Sequence, residues 1–300
     1  MEENQAMTNE QLESRLKSLR VKAVITKILT FCAAAAMIIV WFFMEKLAIG
    51  LVLLAVALVS AYVSSVSSSA LKKLLSDNVI SGVLKEALGD GVEYNPWGKT
   101  EPGNMAFPFS YNKVDGSDHI KAVYKGLNIE LSDIELIEET EDTDENGNTQ
   151  KSSTTHFKGQ WLICDFGKEL SGEVCISAND KKLRKQHKND SVEMENDIFN
   201  KRFLVTSGNA HEAYYILTPH MMEYILSMAD KSGGDVYMSF RRDGKIQIAV
   251  RTGRDFFELG KSNANVEELH RKFLGELRWF TDMIDTLRVE DTLYLKEANR

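Results

Sequence analysis

The stretch Ala23 to Val66 holds two long apolar runs separated only by Glu45 and Lys46, and no other feature constrains the fold as strongly. A bilayer core about 30 Å thick needs roughly 20 apolar residues of helix, and each run is close to that length. The first extends from Val24 to Met44 and ends in Trp41, Phe42 and Phe43, aromatic side chains suited to interface depth. The second runs from Leu47 to Val66. A two-residue connection makes the pair an antiparallel hairpin, with both ends on one side. A buried hairpin of a soluble core and a re-entrant hairpin are the competing readings, but soluble helices of this length carry a polar stripe and these do not.

The flanking charges set the expected orientation. Arg15, Lys17, Arg20, Lys22 and Lys27 precede the hairpin, Lys72 and Lys73 follow it, and the tip carries only Lys46. The positive-inside bias then puts both termini in the cytoplasm, with the flanking cations as candidate lipid contacts. Leu12 to Ile28 reads as a helix leading into the first span and lying at the membrane surface. Small residues recur at Ala57 and Ala61, at Ser60 and Ser64, and from Cys32 to Ala36, a pattern that serves the hairpin's own packing. A cleaved signal peptide is not expected, because the first run is too long and leads straight into a second.

Beyond the hairpin the chain is acidic. Six of its 36 basic and five of its 44 acidic residues lie within residues 1–69, leaving 30 against 39 in the remainder. That balance argues against nucleic-acid binding, which needs a basic surface. Three cysteines, Cys32, Cys164 and Cys175, give no even disulfide framework.

Four parts are expected: a cytoplasmic N-terminal segment (1–22), a transmembrane helical hairpin (23–66), an amphipathic helix (67–91) stopped by Gly89 and Gly91, and a cytoplasmic domain (92–300). After a loop-rich stretch with Pro96, Pro102 and Gly103, alternating patterns predict strands over Ala122–Thr140, Thr155–Phe166 and Gly172–Ser177, the first pair joined by a long polar tip. A charged connector follows over Ala178–Asp197. Phe203–Thr206 reads as a strand, Asn209 with Glu212 as a helix start, and Thr218 with Pro219 as the cap and first position of another helix. Asp235–Thr252 is a hairpin turning at Asp243 and Gly244. Asn265 and Glu268 open a long helix with Leu269, Phe273, Leu277, Phe280, Ile284 and Leu287 on one face. Mixed elements without βαβ alternation give an α+β class with mainly antiparallel strands and a long C-terminal helix.

Three blocks, HFKGQWLICDFGKELSGEV (His156–Val174), MENDIFNKRFLVTSGNAHEAYYILTPHMMEYIL (Met194–Leu226) and KIQIAVRTGRDFFEL (Lys245–Leu259), resemble a bacterial family of two-span membrane proteins catalogued only as a domain of unknown function. The resemblance implies a membrane-anchored α+β domain and no reaction. Its members are often encoded beside LemA-type membrane proteins, which makes such a protein a candidate partner.

No catalytic set emerges. Asp142, Asp144 and Asn146, followed by Gly147, have calcium-loop spacing, but Ser153 stands where the bidentate Glu belongs; they remain weak divalent-ion candidates on a solvated tip. His211 and Glu212 begin a zinc-protease pattern that Tyr215 breaks. His119, His156, His187, His220 and His270 have no Cys or His at ligand spacing. P-loop, GxSxG and GxGxxG motifs are absent. The run Lys181, Lys182, Arg184, Lys185 and Lys188 is a further candidate lipid contact. No metal or cofactor is expected. The function that fits is a membrane-anchored binding or scaffold protein of the bacterial inner membrane, with the bilayer and an unidentified protein as partners. An envelope enzyme, such as a hydrolase with an unrecognised site, and a homo-oligomeric membrane assembly are the alternatives.

Overall fold

A computed structural model describes residues 8–44, 47–143, 149–166, 170–258 and 265–295. In chain order the elements are α1 (Asn9–Met44), α2 (Leu47–Leu75), a π turn (Ser76–Ile80), α3 (Ser81–Leu88), β1 (Glu93–Asn95), β2 (Lys113–Tyr124), β3 (Leu127–Thr143), β4 (Thr149–Asp165) and β5 (Val174–Ala178). There follow α4 (Lys181–Gln186), β6 (Ser191–Val192), α5 (Asp197–Arg202), β7 (Phe203–Ser207), α6 (Ala210–Ile216), α7 (Pro219–Ser232), β8 (Asp235–Phe240), β9 (Lys245–Arg251) and α8 (Val266–Leu295). Two compact units result, one of residues 1–83 and 259–272, the other of 84–258 and 273–300.

In the first unit, α1 and α2 pack along a seam that repeats at three and four residues. Leu12, Leu16, Ala23 and Ala33 are buried on α1, with Leu19, Thr26, Thr30 and Met37 half-buried between them. Ser60, Ser64, Ser67 and Leu75 are buried on α2, with Leu53, Ala57 and Leu71 half-buried. This is a coiled-coil period. Where the seam is made of Ala, Ser and Thr the backbones come close enough for hydroxyls to bond across it. Thr30 and Ser60 share a hydrogen bond of 2.9 Å, and the Ser64 hydroxyl donates to the Ala23 carbonyl at 3.4 Å. The hairpin's own packing thus accounts for Ser60 and Ser64, whereas Ala61 is exposed.

The outer faces are apolar and bare. Phe31, Trp41, Leu58, Val59 and Tyr62 are all exposed, and only 11% of the most apolar window of either helix is buried. A soluble core hairpin would bury that surface. Two such helices, each longer than a bilayer core needs, make the protein membrane-associated. The side chains of Phe42 and Phe43, and the Glu45–Lys46 turn, lie outside the described residues.

Leu12–Ile28 is helical and leads into the first apolar run, as expected. Its residues belong to one helix of 36 residues whose N-terminal part buries Leu12 and Leu16. At 1.5 Å per residue, roughly 16 residues of it extend past a 20-residue span. Glu13 Oε1 accepts the Val266 N–H at 3.0 Å, which ties the start of α8 to this extension.

The second unit is built on a nine-stranded antiparallel sheet of order β1-β2-β3-β4-β9-β8-β5-β7-β6, with α8 following it in the chain, so the α+β class holds. Both edge strands are short, which limits unpaired backbone. Register places Ser132, Ile134 and Leu136 of β3, Phe157 and Trp161 of β4, Gln247 and Ala249 of β9, Tyr237 and Ser239 of β8, and Ser177 of β5 on one face. Residues 98–112, without helix or strand, run over that face and seat Phe107 against Ile134, Leu136, Phe157, Trp161 and Tyr237. We call this segment the strap. A coil over a core must satisfy its own backbone. The Thr100 N–H donates to Ser132 Oγ (2.7 Å), the Gly103 N–H to Gln247 Oε1 (2.9 Å), and Ser177 Oγ donates to the Ala106 carbonyl (2.6 Å).

The other sheet face is apolar, with Leu131, Leu162, Ile248, Met238, Ile176 and Val205 buried, and α7 packs against β8 beside it. The Thr218 hydroxyl caps α7 by accepting from Met221, and Gly233 ends it at φ 69°. On α8, Phe273, Leu277, Phe280, Ile284 and Leu287 are buried as expected.

Three expectations are corrected. Ala122–Thr140 is two strands, because Lys125 and Gly126 take positive φ and turn the chain between β2 and β3. The acidic tip is shorter than expected, since Glu138–Thr143 and Thr149–Thr154 pair in the β3–β4 ladder. The connector contains a helix, α4, capped by Asp180, whose carboxylate accepts from Lys182 and Leu183.

Candidate functional site

Polar side chains are rare on the apolar sheet face, and the most deeply buried of them among the described residues, Asp133 and Gln160, define the candidate site. Asp133 is 1% exposed and lies across the β3–β4 ladder from Gln160. Its Oδ1 accepts from Gln160 Nε2 at 3.1 Å and its Oδ2 from the Phe256 N–H at 2.7 Å. Gln160 also donates to the Arg254 carbonyl (2.7 Å) and accepts from the Thr252 hydroxyl (2.9 Å). Two strand residues thereby hold the chain just after β9.

Asp118 sits beside this group in a bulge of β2, between the Ser117–Asp133 and Ile120–Leu131 pairs. Its φ is 57°, a conformation Asp tolerates better than most residues. One carboxylate oxygen accepts from the Tyr94 hydroxyl and the other from Ser117 Oγ (2.7 Å); its N–H donates to the Pro96 carbonyl (3.3 Å). Gly116 must be small here, because a Cβ would lie 2.3 Å from the Asp133 carbonyl oxygen.

Burial, then the charge of Asp118, pushes the Asp133 carboxyl well above the ordinary carboxylate range, with the donors Gln160 and Phe256 acting against them. Burial and Asp118 also raise the Tyr94 phenol, so it stays a donor at neutral pH. The chemistry available is proton storage and backbone clamping. Among the described residues no group of three or more His, Cys, Asp or Glu could hold a metal ion.

The expected lipid contacts are divided between the two units. Arg15, Lys17, Lys22, Lys27 and Lys73 are exposed along α1 and α2, while Arg20 and Lys72 are half-buried. On α4, Lys181, Lys182 and Lys185 are exposed, as is Lys188 beyond it, and Leu183 anchors the helix in the core. Arg184 is partly committed elsewhere, donating to the Asn179 side chain and the Asn200 carbonyl. Asp142 pairs with Gln150 in the ladder; its side chain and residues Asp144 and Asn146 lie outside the described residues.

Three histidines face single carboxylates: His119 with Glu130 (3.1 Å), His156 with Glu138 (2.8 Å) and His187 with Asp190 (2.9 Å). Cys164 is buried, and burial followed by Asp165 pushes its thiol up to about 12. It is an inert packed side chain. Glu212 serves neither a zinc pattern nor a capping box, since its carboxylate accepts from the Ser171 N–H and hydroxyl.

Sequence reading missed Asp118, Asp133 and Gln160. The available signal was Asp133 itself, which follows Ile129 and Leu131 at the i+2 spacing of a buried strand face, where a carboxylate is out of pattern.

No curated protein matches the chain. Among solved structures, the crystal structure of the mycobacterial trehalose monomycolate transport factor A, TtfA, aligns at a TM-score of 0.31 and 10% identity, covering 58% of this chain and 74% of that one. A likeness of that size leaves this chain's role to its own residues. Residues 155–289 match the model of a family described as "Protein of unknown function (DUF3137)", and this is the uncharacterised family to which the sequence resemblance pointed.

Proposed function

We propose that the protein is a non-enzymatic scaffold of the bacterial inner membrane. In this reading α1 and α2 cross the bilayer as a hairpin, both termini and the second unit lie in the cytoplasm, and that unit recruits a protein or small ligand. The observation that carries it is the pair of long helices with bare apolar outer faces and a polar seam turned inward. The surplus of Lys and Arg at the open end of the hairpin supports the orientation. In the second unit, Ser132, Ser177, Gln247, Asp133 and Gln160 hold the protein's own backbone or side chains, which favours binding over catalysis.

An enzyme is the second reading, favoured by the adjacent buried carboxyls of Asp118 and Asp133. Photo-cross-linkers placed at the exposed Tyr214 and Ile198 of the second unit and at Tyr62 of α2, in full-length protein in native membranes, test the proposal. Capture of one defined protein, a LemA-type protein among the candidates, from Tyr214 or Ile198 supports it. Capture of nothing from any position contradicts it, and capture of a second copy alone shifts the reading to a homo-oligomer.

A further inference from the structure

The sheet protects its edges except in one place. Its outer strands β1 and β6 have three and two residues, so little unpaired backbone lies along them. The β3–β4 ladder, however, runs past its neighbours. β2 pairs with β3 as far as Ile137 and β9 pairs with β4 over Gln160–Asp165, whereas Glu138–Thr143 and Thr149–Thr154 go on pairing with each other. At roughly 3.4 Å per residue they form a two-stranded ribbon about 20 Å long with two outer edges.

The two edges differ. On β3 the acids Glu138, Glu139, Glu141 and Asp142 follow closely. The Asn112 side chain also occupies the Glu139 backbone, donating to its carbonyl at 2.7 Å and accepting from its N–H at 2.8 Å. On β4, Gln150–Thr155 are exposed, and their single charge, Lys151, is paired with Glu141 across the ribbon. From His156 onward the edge is taken up, since the Arg251 side chain donates to the His156 carbonyl (3.4 Å) and the Gly253 N–H to the Lys158 carbonyl (2.9 Å). Natural strands avoid pairing with other chains by being short, by carrying charge or proline, or by being covered. Among the described residues, the outer edge of 150–155 has no such protection beyond one neutralised lysine.

We propose that residues 150–155 of β4 are a homodimer interface, at which a second copy adds the same strand antiparallel to the first, so that the ribbons of two copies join edge to edge.

Self-pairing fits this edge and not the other. Opposed residues of antiparallel strands both point their backbone groups at the partner or both away, so a two-fold pairing centres on a residue that faces its own copy. Centred on Ser152, Lys151 faces Ser153; centred on Ser153, it faces Thr155. Neither register opposes like charges. The same pairing of β3 about Thr140 would set Glu139 against Glu141 and Glu138 against Asp142. Two copies held in one membrane meet at a raised effective concentration, which favours a polar edge pairing that dilution in solution would dissociate. The pairing is independent of what the second unit recruits and of the side of the membrane on which it lies.

Disulfide cross-linking of the full-length protein in native membranes, oxidised with copper phenanthroline, tests the interface. The variants are Ser152→Cys and Ser153→Cys on the pairing edge and Glu141→Cys on the far strand, each compared with the wild type and its three free cysteines. Directly opposed residues bring their Cβ atoms to about 4.5–5.5 Å, close to disulfide range, while the two Glu141 positions would lie three strand spacings apart, about 14 Å. A dimer of the chain with itself should form from Ser152→Cys or Ser153→Cys and be absent from Glu141→Cys and the wild type. A second lysine opposite Lys151 of the other copy should abolish it: Ser153→Lys where Ser152→Cys links, Thr155→Lys where Ser153→Cys links. All these positions are exposed, and Ser153→Lys faces Glu139 within the ribbon, so the fold is kept. No dimer from either edge cysteine, an equal dimer from Glu141→Cys, a link to a different protein instead, or a dimer that survives the added lysine would each overturn the proposal.

Discussion

Thr30 of α1 and Ser60 of α2 share a hydrogen bond of 2.9 Å across the seam of two helices whose outer faces are apolar and bare. Ser60 is buried, and the next turns of α2 present Ser64 and Ser67 on the same seam. Ser60→Ala should cost about 0.6 kcal/mol, the mean found for hydrogen bonds between helices in a bilayer. Ser60→Leu should cost about 1–3 kcal/mol, because the added methylenes force the backbones apart. Unfolding of the full-length protein in mixed micelles measures both, and equal effects would mean that close approach of the helices is not what the seam provides.

Gln247 holds two partners with one oxygen: Oε1 accepts the Gly103 N–H at 2.9 Å and the Trp161 indole N–H at 3.1 Å. Gln247→Leu would strand both donors in the core between strap and sheet. Each unsatisfied buried donor costs about 1–3 kcal/mol, so a loss of about 2–6 kcal/mol is expected in urea unfolding. Ser177→Ala, which leaves the Ala106 carbonyl without its 2.6 Å donor, should cost about 1–3 kcal/mol. Neutral outcomes for both would remove the strap from the account of the core.

The pH dependence of stability follows from Asp133. Its folded value is raised, so between the unfolded value of about 3.9 and the folded value the native state holds the extra proton. Its contribution therefore favours folding at the acid end of that window and diminishes as pH rises through it. Other carboxylates titrate too, so the quantity to measure is the unfolding free energy of wild type minus that of Asp133→Asn. That difference should fall with rising pH; a rise would contradict the environment described for Asp133.

The α4 lysines give a salt-sensitive prediction. Replacing Lys181, Lys182, Lys185 and Lys188 with Gln, and leaving Arg184 to hold Asn179 and Asn200, removes four charges without removing the Leu183 anchor. If α4 meets anionic lipid, each lysine contributes about 1 kcal/mol. A fluorophore on α4 should then be quenched less by headgroup-labelled phosphatidylglycerol in the variant than in the wild type. Equal quenching would place α4 in solvent.

Much of the architecture was legible because local chemistry declares it. Thr218–Pro219 and Gly233 bound α7, Asp243–Gly244 turns the β8–β9 hairpin, and the Asn265 side chain accepts from Glu268 at the start of α8. What was not legible depends on partners distant in sequence. Ser132, Ser177 and Gln247 interrupt the strand patterns because a coil more than twenty residues away in sequence, or over a hundred for Gln247, lies on them. Likewise α4 hides in a run of charges because a cap and one buried leucine suffice to place it. Asp118 and Asp133 look like ordinary strand acids until β2 bulges and the chain after β9 returns to them.

Orientation in the membrane is the most direct test. Ser152 is exposed on β4 of the second unit, so a Ser152→Cys variant lacking Cys32, Cys164 and Cys175 carries one reporter thiol on that unit. A membrane-impermeant maleimide should label it in inverted inner-membrane vesicles and leave it unlabelled in intact spheroplasts. Labelling in intact spheroplasts would put the second unit outside the cytoplasm and contradict the proposed cytoplasmic scaffold.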